Sequence, residues 1–266
     1  MKHNWYKTLL LGMLLALPSL MQAEDADSLH ILWVGNSYTY VNDLPTLVTQ
    51  IAAEQGIKLS PSRVLKGGQR LRGQLKTPKL YEELKKGNWD YVVLQEQSTL
   101  PAQHTRQTLE ETYTAAHELD SLVHAYAPKA KTIFYMSWGH KFKNEHDGKE
   151  KDPAYPLDSQ YDIMQMRVIV SYLEMTYDNK ALCAPVGLAW KDIMEHHPEI
   201  NLYKKDNYHP SLEGTFLAAH CFISTIMQRP YNSNLTFGLP EDQARILQEA
   251  ARKATFAYSK FLGWKN

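Results

Sequence analysis

Short apolar segments alternate with amphipathic segments along most of the chain. The apolar runs predict five strands, at Ile31–Val34, Ile57–Leu65, Trp89–Leu94, Thr132–Met136 and Ala181–Val186. Apolar residues at helical spacing between and after them predict helices at 42–56, Leu71–Lys86, Thr105–Ala127, Leu157–Tyr177, Leu188–His196, Ser211–Met227 and Pro240–Leu262. The polar stretch His140–Pro156 predicts an exposed loop.

This alternation is typical of a parallel sheet covered by helices on both faces. Right-handed crossovers make the expected fold an α/β protein, a three-layer α/β/α sandwich with a five-stranded parallel sheet. We expect one domain over residues 24–266. In such sheets ligands bind beyond the carboxyl ends of the strands. We therefore expect binding and catalytic residues directly after each strand.

The first residues have the layout of a signal peptide. A basic start is followed by the apolar run Leu9–Leu17 and then by Met21-Gln22-Ala23. A membrane anchor is the alternative, but the apolar run is too short to span a bilayer comfortably. We therefore predict a signal peptide over residues 1–23, export to the periplasm or the outside of the cell, and no stable membrane insertion after cleavage.

Composition and charge narrow the function further. The chain has 266 residues, of which 44% are hydrophobic and 22% are charged, with a formal net charge of zero. This composition indicates a folded protein, and the balanced charge argues against nucleic acid as a partner. Cys183 and Cys221 lie in apolar contexts and are expected to be buried free thiols. His140 and the other loop histidines lack the carboxylate or cysteine pattern of a zinc site, so we predict solvated side chains, no metal and no cofactor.

Two motifs at opposite ends of the chain carry residues for nucleophilic catalysis. Ser37 follows the first strand in Gly35-Asn36-Ser37-Tyr38-Thr39, and Asp206 and His209 lie in Asp206-Asn207-Tyr208-His209-Pro210. Histidine can accept a serine proton while aspartate orients the imidazole ring. Taken alone, each motif has an ordinary alternative: a capping serine, and a polar loop whose histidine caps the next helix.

Polar residues also follow the second and third predicted strands. They are Lys66-Gly67-Gly68-Gln69 and Gln95-Glu96-Gln97-Ser98. A glycine N–H and a side-chain amide are suitable donors to the negative oxygen of a tetrahedral intermediate. Gly68, Ser37 N–H and either Gln95 or Gln97 are therefore candidate oxyanion donors. Glu96 beside them either tunes a neighbouring pKa or forms a salt bridge.

Together these motifs resemble the SGNH/GDSL hydrolase superfamily over residues Ile31 to about Ala219. The segment 34–39 resembles its first block, with Asn36 where many members have aspartate, and Gly67-Gly68 resembles its glycine block. The segment 206–210 resembles its last block, in which aspartate and histidine are separated by two residues. One block departs from the family, because Gln95-Glu96-Gln97-Ser98 replaces the usual Gly-x-Asn-Asp.

The resemblance implies a flavodoxin-like SGNH fold and an esterase that forms an acyl-enzyme on Ser37. Exported members often act on carbohydrates, so the expected substrate is a short-chain ester, in particular an O-acetyl group on a glycan. Trp138 and Tyr208 are candidate faces for stacking sugar rings, although ordinary packing explains a tryptophan equally well. The alternatives are a lysophospholipase or thioesterase, and a non-catalytic glycan-binding protein on a hydrolase scaffold.

Overall fold

The computed structural model describes residues 28–141 and 160–264. Its strands are β1 (Leu29–Gly35), β2 (Leu59–Leu65), β3 (Tyr91–Leu94), β4 (Lys131–Tyr135) and β5 (Leu182–Ala184). They form one five-stranded sheet in the order β2-β1-β3-β4-β5, and every pair of neighbours is parallel. The predicted sheet and the order of its strands along the chain are confirmed.

Helices connect the strands and cover both faces of the sheet. They are α1 (Ser37–Tyr40), α2 (Leu44–Glu54), α3 (Leu71–Gln74), α4 (Pro78–Leu84), α5 (Thr105–Thr108), α6 (Thr114–Tyr126), α7 (Gln160–Asp178), α8 (Val186–His196), α9 (Leu212–Met227) and α10 (Glu241–Ala257). The predicted helix over 71–86 is two helices, and Pro78 starts the second because its ring suits the first turn. The predicted helix over 105–127 is interrupted by a π-helical turn at Leu109–Tyr113.

Residues of β1 alternate between two hydrophobic cores. Ile31 and Trp33 pack in the core that includes α2, α8, α9 and α10, whereas Leu32 and Val34 pack in the core that includes α6 and α7. All four side chains are fully buried. Both faces of the sheet are therefore covered, as expected of a three-layer α/β/α sandwich.

The strand order places a change of winding direction beside β1. The chain passes from β1 to β2 on one side and then returns to β3 on the other side. Loops that leave neighbouring strands in opposite directions open a crevice at the carboxyl edge, which is where ligands bind in this class of sheet. Ser37 and Gln97 follow the two strands that border this crevice.

Some predictions lie on residues that the structure does not describe. The signal peptide over residues 1–23 is outside the described residues, and so is most of the loop His140–Pro156. Within residues 28–141 and 160–264, no helix is both long and apolar enough to cross a bilayer. Cys183 and Cys221 are buried free thiols, as predicted.

Candidate active site

Ser37 lies at the start of α1, directly after β1. The strand ends at Gly35, and Asn36 caps the helix because its Oδ1 accepts the Tyr38 N–H at 3.1 Å. Ser37 is half-buried at the carboxyl edge of the sheet. The first turn of a helix leaves N–H groups without intrahelical acceptors, and Ser37 N–H is one of them.

The structure brings His209 onto Ser37 although 172 positions separate them. His209 Nε2 lies 2.8 Å from Ser37 Oγ, and His209 Nδ1 lies 2.7 Å from Asp206 Oδ2. With the proton on Nδ1 held by the carboxylate, Nε2 is free to accept the serine proton. Ser37, His209 and Asp206 therefore form one hydrogen-bonded chain at the crevice.

Asp206 also shapes the loop that carries His209. Its Oδ1 accepts the backbone N–H groups of Tyr208 at 3.1 Å and of His209 at 3.0 Å. Partial burial raises the pKa of Asp206, but the hydrogen bonds from His209 and Tyr208 outweigh it and lower the pKa below its ordinary value. The carboxylate therefore stays ionised at neutral pH, as a partner of imidazolium must.

The loop over residues 206–210 is tied to the rest of the protein by side-chain donors. The indole N–H of Trp138 donates to Tyr208 O at 3.1 Å. The Asn42 amide donates to Pro210 O at 3.2 Å and to Ser211 O at 2.8 Å. These bonds fix the position of His209 relative to the helix that carries Ser37.

Asn36 joins the loops that follow the first three strands of the chain. Its Nδ2 donates to the main-chain oxygen of Gln69, 3.0 Å away, and approaches that of Glu96 at 3.5 Å. In the sequence alone, Asn36 stands out only because it replaces the family's aspartate. The structure gives that departure a reason, since an ionised aspartate cannot donate to either carbonyl.

Gln95 is not an oxyanion donor. It is fully buried, and its Oε1 accepts the Asn36 N–H at 2.9 Å and the Thr39 hydroxyl at 3.1 Å. Its Nε2 donates to the main-chain oxygen of Glu96, so the amide is used within the fold. Gly35 leaves room for this packing, because a side chain there would lie 2.7 Å from Gln95 Oε1.

Gln97 is the remaining candidate of the two glutamines. Its Oε1 accepts the Thr99 N–H at 3.0 Å, the Thr99 hydroxyl at 2.9 Å and the Leu100 N–H at 3.3 Å. These bonds orient the amide, and its NH₂ group donates to no residue within 28–141 and 160–264. Gly68 has a φ of +65° and is exposed. It lies in the turn that Asn36, the residue before Ser37, holds by its hydrogen bond to Gln69 O.

Trp138 does not offer a face to a sugar. It is 0% exposed, and its ring is stacked between Tyr38 at 4.6 Å and Trp190 at 3.8 Å, as measured between ring centroids. Both faces are therefore covered. Tyr208 is half-buried, with its ring centroid 4.3 Å from that of His209, and its role as a stacking face for sugar rings stays a prediction.

Two buried polar residues lie behind the candidate site. His140, expected to be solvated, is 6% exposed, and its Nε2 lies 3.2 Å from Ser98 Oγ. Glu96 is fully buried, and its Oε1 accepts the Leu71 N–H at 3.0 Å and the Gln97 N–H at 2.6 Å. Glu96 thus connects the segment after β2 to the segment that carries Gln97.

Burial raises the pKa of Glu96 to about 7, because the charged form is poorly solvated. The N–H groups of Gln97 and Leu71 and the nearby Arg70 lower it, whereas Glu111 raises it. Glu96 Oε2 has no hydrogen-bond partner among the described residues, and no salt bridge to Glu96 is present there. From the sequence, Glu96 is expected either to form a salt bridge or to tune a neighbouring pKa. The salt bridge is not observed among the described residues.

Comparison with known proteins agrees with this fold. No family model matches the chain, and no curated protein is significantly similar in sequence. A DUF4886 family protein from Bacteroides uniformis is 16% identical, with a TM-score of 0.68, over 88% of this chain and 96% of that one. A protein assigned to the SGNH hydrolases from Slackia heliotrinireducens is 27% identical, with a TM-score of 0.58, over 75% of this chain and 99% of that one.

An acetyl xylan esterase from Geobacillus stearothermophilus has the same fold at 16% identity and a TM-score of 0.53, over 77% of this chain and 97% of that one. The parallel sheet and the crevice beside β1 are those of the SGNH hydrolase fold, and the Ser37–His209–Asp206 chain lies at that crevice. The chain is a member of the SGNH hydrolase superfamily.

Proposed function

We propose that the protein is a serine esterase that hydrolyses short-chain acyl esters, in particular O-acetyl groups on carbohydrates, and that it is exported. The observation that carries the proposal is the hydrogen-bonded chain from Ser37 Oγ through His209 to Asp206.

In the proposed reaction, Ser37 Oγ attacks the ester carbonyl carbon as His209 Nε2 takes the hydroxyl proton. The tetrahedral intermediate places its negative oxygen towards Ser37 N–H, Gly68 N–H and the Gln97 amide. The C–O bond then breaks, and His209 gives the proton to the leaving alcohol. Water, deprotonated by His209, hydrolyses the acyl-enzyme, and Ser37 recovers its proton.

Short, polar substrates fit the residues at the carboxyl edge. The residues that follow the strands there and are not buried include Gly67, Gly68 and Gln97, which offer little apolar surface to an acyl chain. Two structurally similar proteins are named as acetyl xylan esterases. A lysophospholipase or thioesterase is the second candidate, since the fold neighbours also include a lipase/acylhydrolase and TesA.

A fluorophosphonate probe tests the nucleophile before any substrate is known. We expect the wild-type protein to be labelled on Ser37, Ser37→Ala to lose the label, and the control variant Ser259→Ala to keep it. Labelling that persists in Ser37→Ala rejects the site. A folded wild-type protein that neither labels nor hydrolyses any ester supports a non-catalytic glycan-binding protein instead.

A series of p-nitrophenyl esters tests the acyl group. A site that buries a longer chain gains about 0.8 kcal/mol for each additional methylene, whereas a site that leaves it in water gains little. We expect kcat/KM to fall from acetate to octanoate, and acetylated oligosaccharides to release acetate. A steady rise with chain length favours the lipid or thioester alternative.

A further inference from the structure

A cleft of about 390 Å³ lies along β2, the strand at the edge of the sheet. Arg63, Lys66 and Lys79 line it together with Tyr40 and Thr77. No carboxylate of the described residues contributes to its lining. The cleft therefore combines positive charge with an aromatic ring.

Among the described residues, two of the three cations in this cleft have no carboxylate partner. Arg63 is paired with Asp43, with 2.6 Å between Nη2 and Oδ1. Lys66 and Lys79 form no ion pair within residues 28–141 and 160–264, and both are exposed. They remain available to an anionic group that enters from solvent.

Helix α1 carries the proposed nucleophile at its first residue and a residue of the cleft lining, Tyr40, at its last. Tyr40 is three positions after Ser37 in α1, and residues at this spacing share one side of a helix, with about 5–6 Å between their Cβ atoms. Tyr40 is 46% exposed, and its hydroxyl oxygen lies 3.1 Å from the position of a Cβ at Gly67. Lys66 opens the turn that carries Gly68. A polymeric substrate whose ester lies at Ser37 can therefore extend into the cleft.

We propose that this cleft is a subsite for a sugar residue that bears an anionic substituent, next to the acetylated residue. Lys66 and Lys79 would contact the anion, and the exposed ring of Tyr40 would lie against the sugar. The proposal rests on the proposed function, because it assumes that the ester of a glycan is cleaved at Ser37. It narrows the proposed substrate class from acetylated glycans in general to acetylated glycans that also carry an anionic sugar.

The test compares acetylated oligosaccharides of one backbone with and without a uronate residue. We expect the wild-type protein to prefer the uronate form by about fivefold in kcat/KM, the upper range for exposed ion pairs. Lys66→Ala/Lys79→Ala should remove this preference, and Lys66→Glu/Lys79→Glu should reverse it. Lys85→Ala, which removes an exposed lysine outside the cleft, should leave it unchanged. Because the readout is a ratio within each variant, a general loss of activity does not imitate the result.

A sulfated oligosaccharide distinguishes the two sources of negative charge. The subsite is supported if the protein prefers either anionic form and if this preference depends on Lys66 and Lys79. The form with the larger preference in kcat/KM identifies the anion. Equal rates on charged and neutral forms in the wild-type protein, or a preference that survives in the double variant, overturn it.

A binding measurement separates failure of the subsite from failure of the proposed function. Calorimetry with the non-acetylated uronate oligosaccharide requires no turnover. Binding that is weakened by about fivefold in Lys66→Ala/Lys79→Ala supports the cleft even if no ester is cleaved and no probe labels Ser37. Absence of binding in a protein that cleaves p-nitrophenyl acetate overturns the subsite and leaves the esterase standing.

Discussion

Asn36 Nδ2 lies 3.0 Å from the main-chain oxygen of Gln69, so the residue before the candidate nucleophile holds the turn that contains Gly68. The same amide lies 3.5 Å from the oxygen of Glu96. Three segments that follow different strands thus meet at one buried side chain. Their relative positions depend on hydrogen bonds that the Asn36 amide donates. A carboxylate has the same shape but has no proton to donate.

Asn36→Asp is therefore expected to be harmful, although aspartate is common here in the superfamily that the chain resembles. The new carboxylate would face two carbonyl oxygens without a proton to donate. An unsatisfied buried polar contact costs about 1–3 kcal/mol, so we expect a lower free energy of unfolding and at least a tenfold lower kcat on p-nitrophenyl acetate. Urea denaturation and steady-state kinetics measure both. The control is Asn88→Asp, at an exposed loop position. Wild-type values in Asn36→Asp would show that donation is not required.

Substitutions at Asp206 and His209 should differ in severity. Asp206→Asn keeps an oxygen for the N–H groups of Tyr208 and His209 but removes the anion beside the imidazole. We expect a smaller loss of kcat in Asp206→Asn than in His209→Ala, where removal of the base costs on the order of 10⁴-fold or more. Asp206→Ala should fall below Asp206→Asn because the loop loses its acceptor as well. The opposite order in folded variants would exchange the roles assigned to these residues.

Variants of the two glutamines should separate catalysis from stability. Gln97→Ala is expected to lower kcat by roughly 10²–10³ with little change in KM, as for loss of an oxyanion donor. Gln95→Ala leaves the Asn36 N–H and the Thr39 hydroxyl without their acceptor, which should lower the free energy of unfolding by about 1–3 kcal/mol.

The matched variant Gln97→Glu keeps the oxygen that accepts the Thr99 N–H but lacks the donor, so it should resemble Gln97→Ala in kcat. Normal turnover in both Gln97 variants would remove Gln97 from the oxyanion site. Parallel measurements of unfolding by urea show whether any loss comes from the fold.

Glu96 predicts a pH dependence of stability. Burial raises its pKa from an ordinary value of 4.5 to about 7 in the folded state. The folded protein therefore binds this proton more tightly than the unfolded chain does, and the contribution to stability is present below pH 4.5 and declines as pH rises to about 7. The difference amounts to about 3 kcal/mol at most.

Glu96→Gln carries a neutral side chain at every pH and should lose this dependence. We expect its free energy of unfolding in urea to rise relative to wild type between pH 5 and pH 8. Measuring the difference between the two proteins cancels the titration of the other carboxylates. Parallel profiles over this interval would mean that Glu96 is charged throughout.

The sequence predicts those parts of the site that depend on where strands end. Ser37 and the 206–210 loop follow from alternating elements and from residue types suited to one reaction. The direction of individual side chains depends instead on the backbone after the strand. Because β3 ends at Leu94, the alternation that would place Gln95 and Gln97 on one side does not continue. Trp138 likewise lies beyond the end of β4 and turns into the core.

The contacts of Asn36, Glu96 and His140 depend on tertiary structure in a different way. Each lies in a polar loop by sequence, and each is buried because another segment of the chain covers it. Asn36 and Glu96 contact the segment after β2, whereas His140 contacts Ser98. No local pattern of hydrophobic and polar residues encodes such packing. In the sequence, only the departures from the family at Asn36 and at 95–98 indicate that these segments are unusual.

Trp138 connects the two halves of the candidate site through a single indole. Its ring stacks on Tyr38, the neighbour of Ser37, and its N–H donates to Tyr208 O, beside His209. The serine and the histidine therefore share one aromatic column that extends to Trp190. As a consequence, Ser37 and His209 separate only when the stacking of these aromatic rings is lost. On heating, loss of catalytic competence and loss of the near-ultraviolet dichroism of these rings should occur in a single cooperative transition.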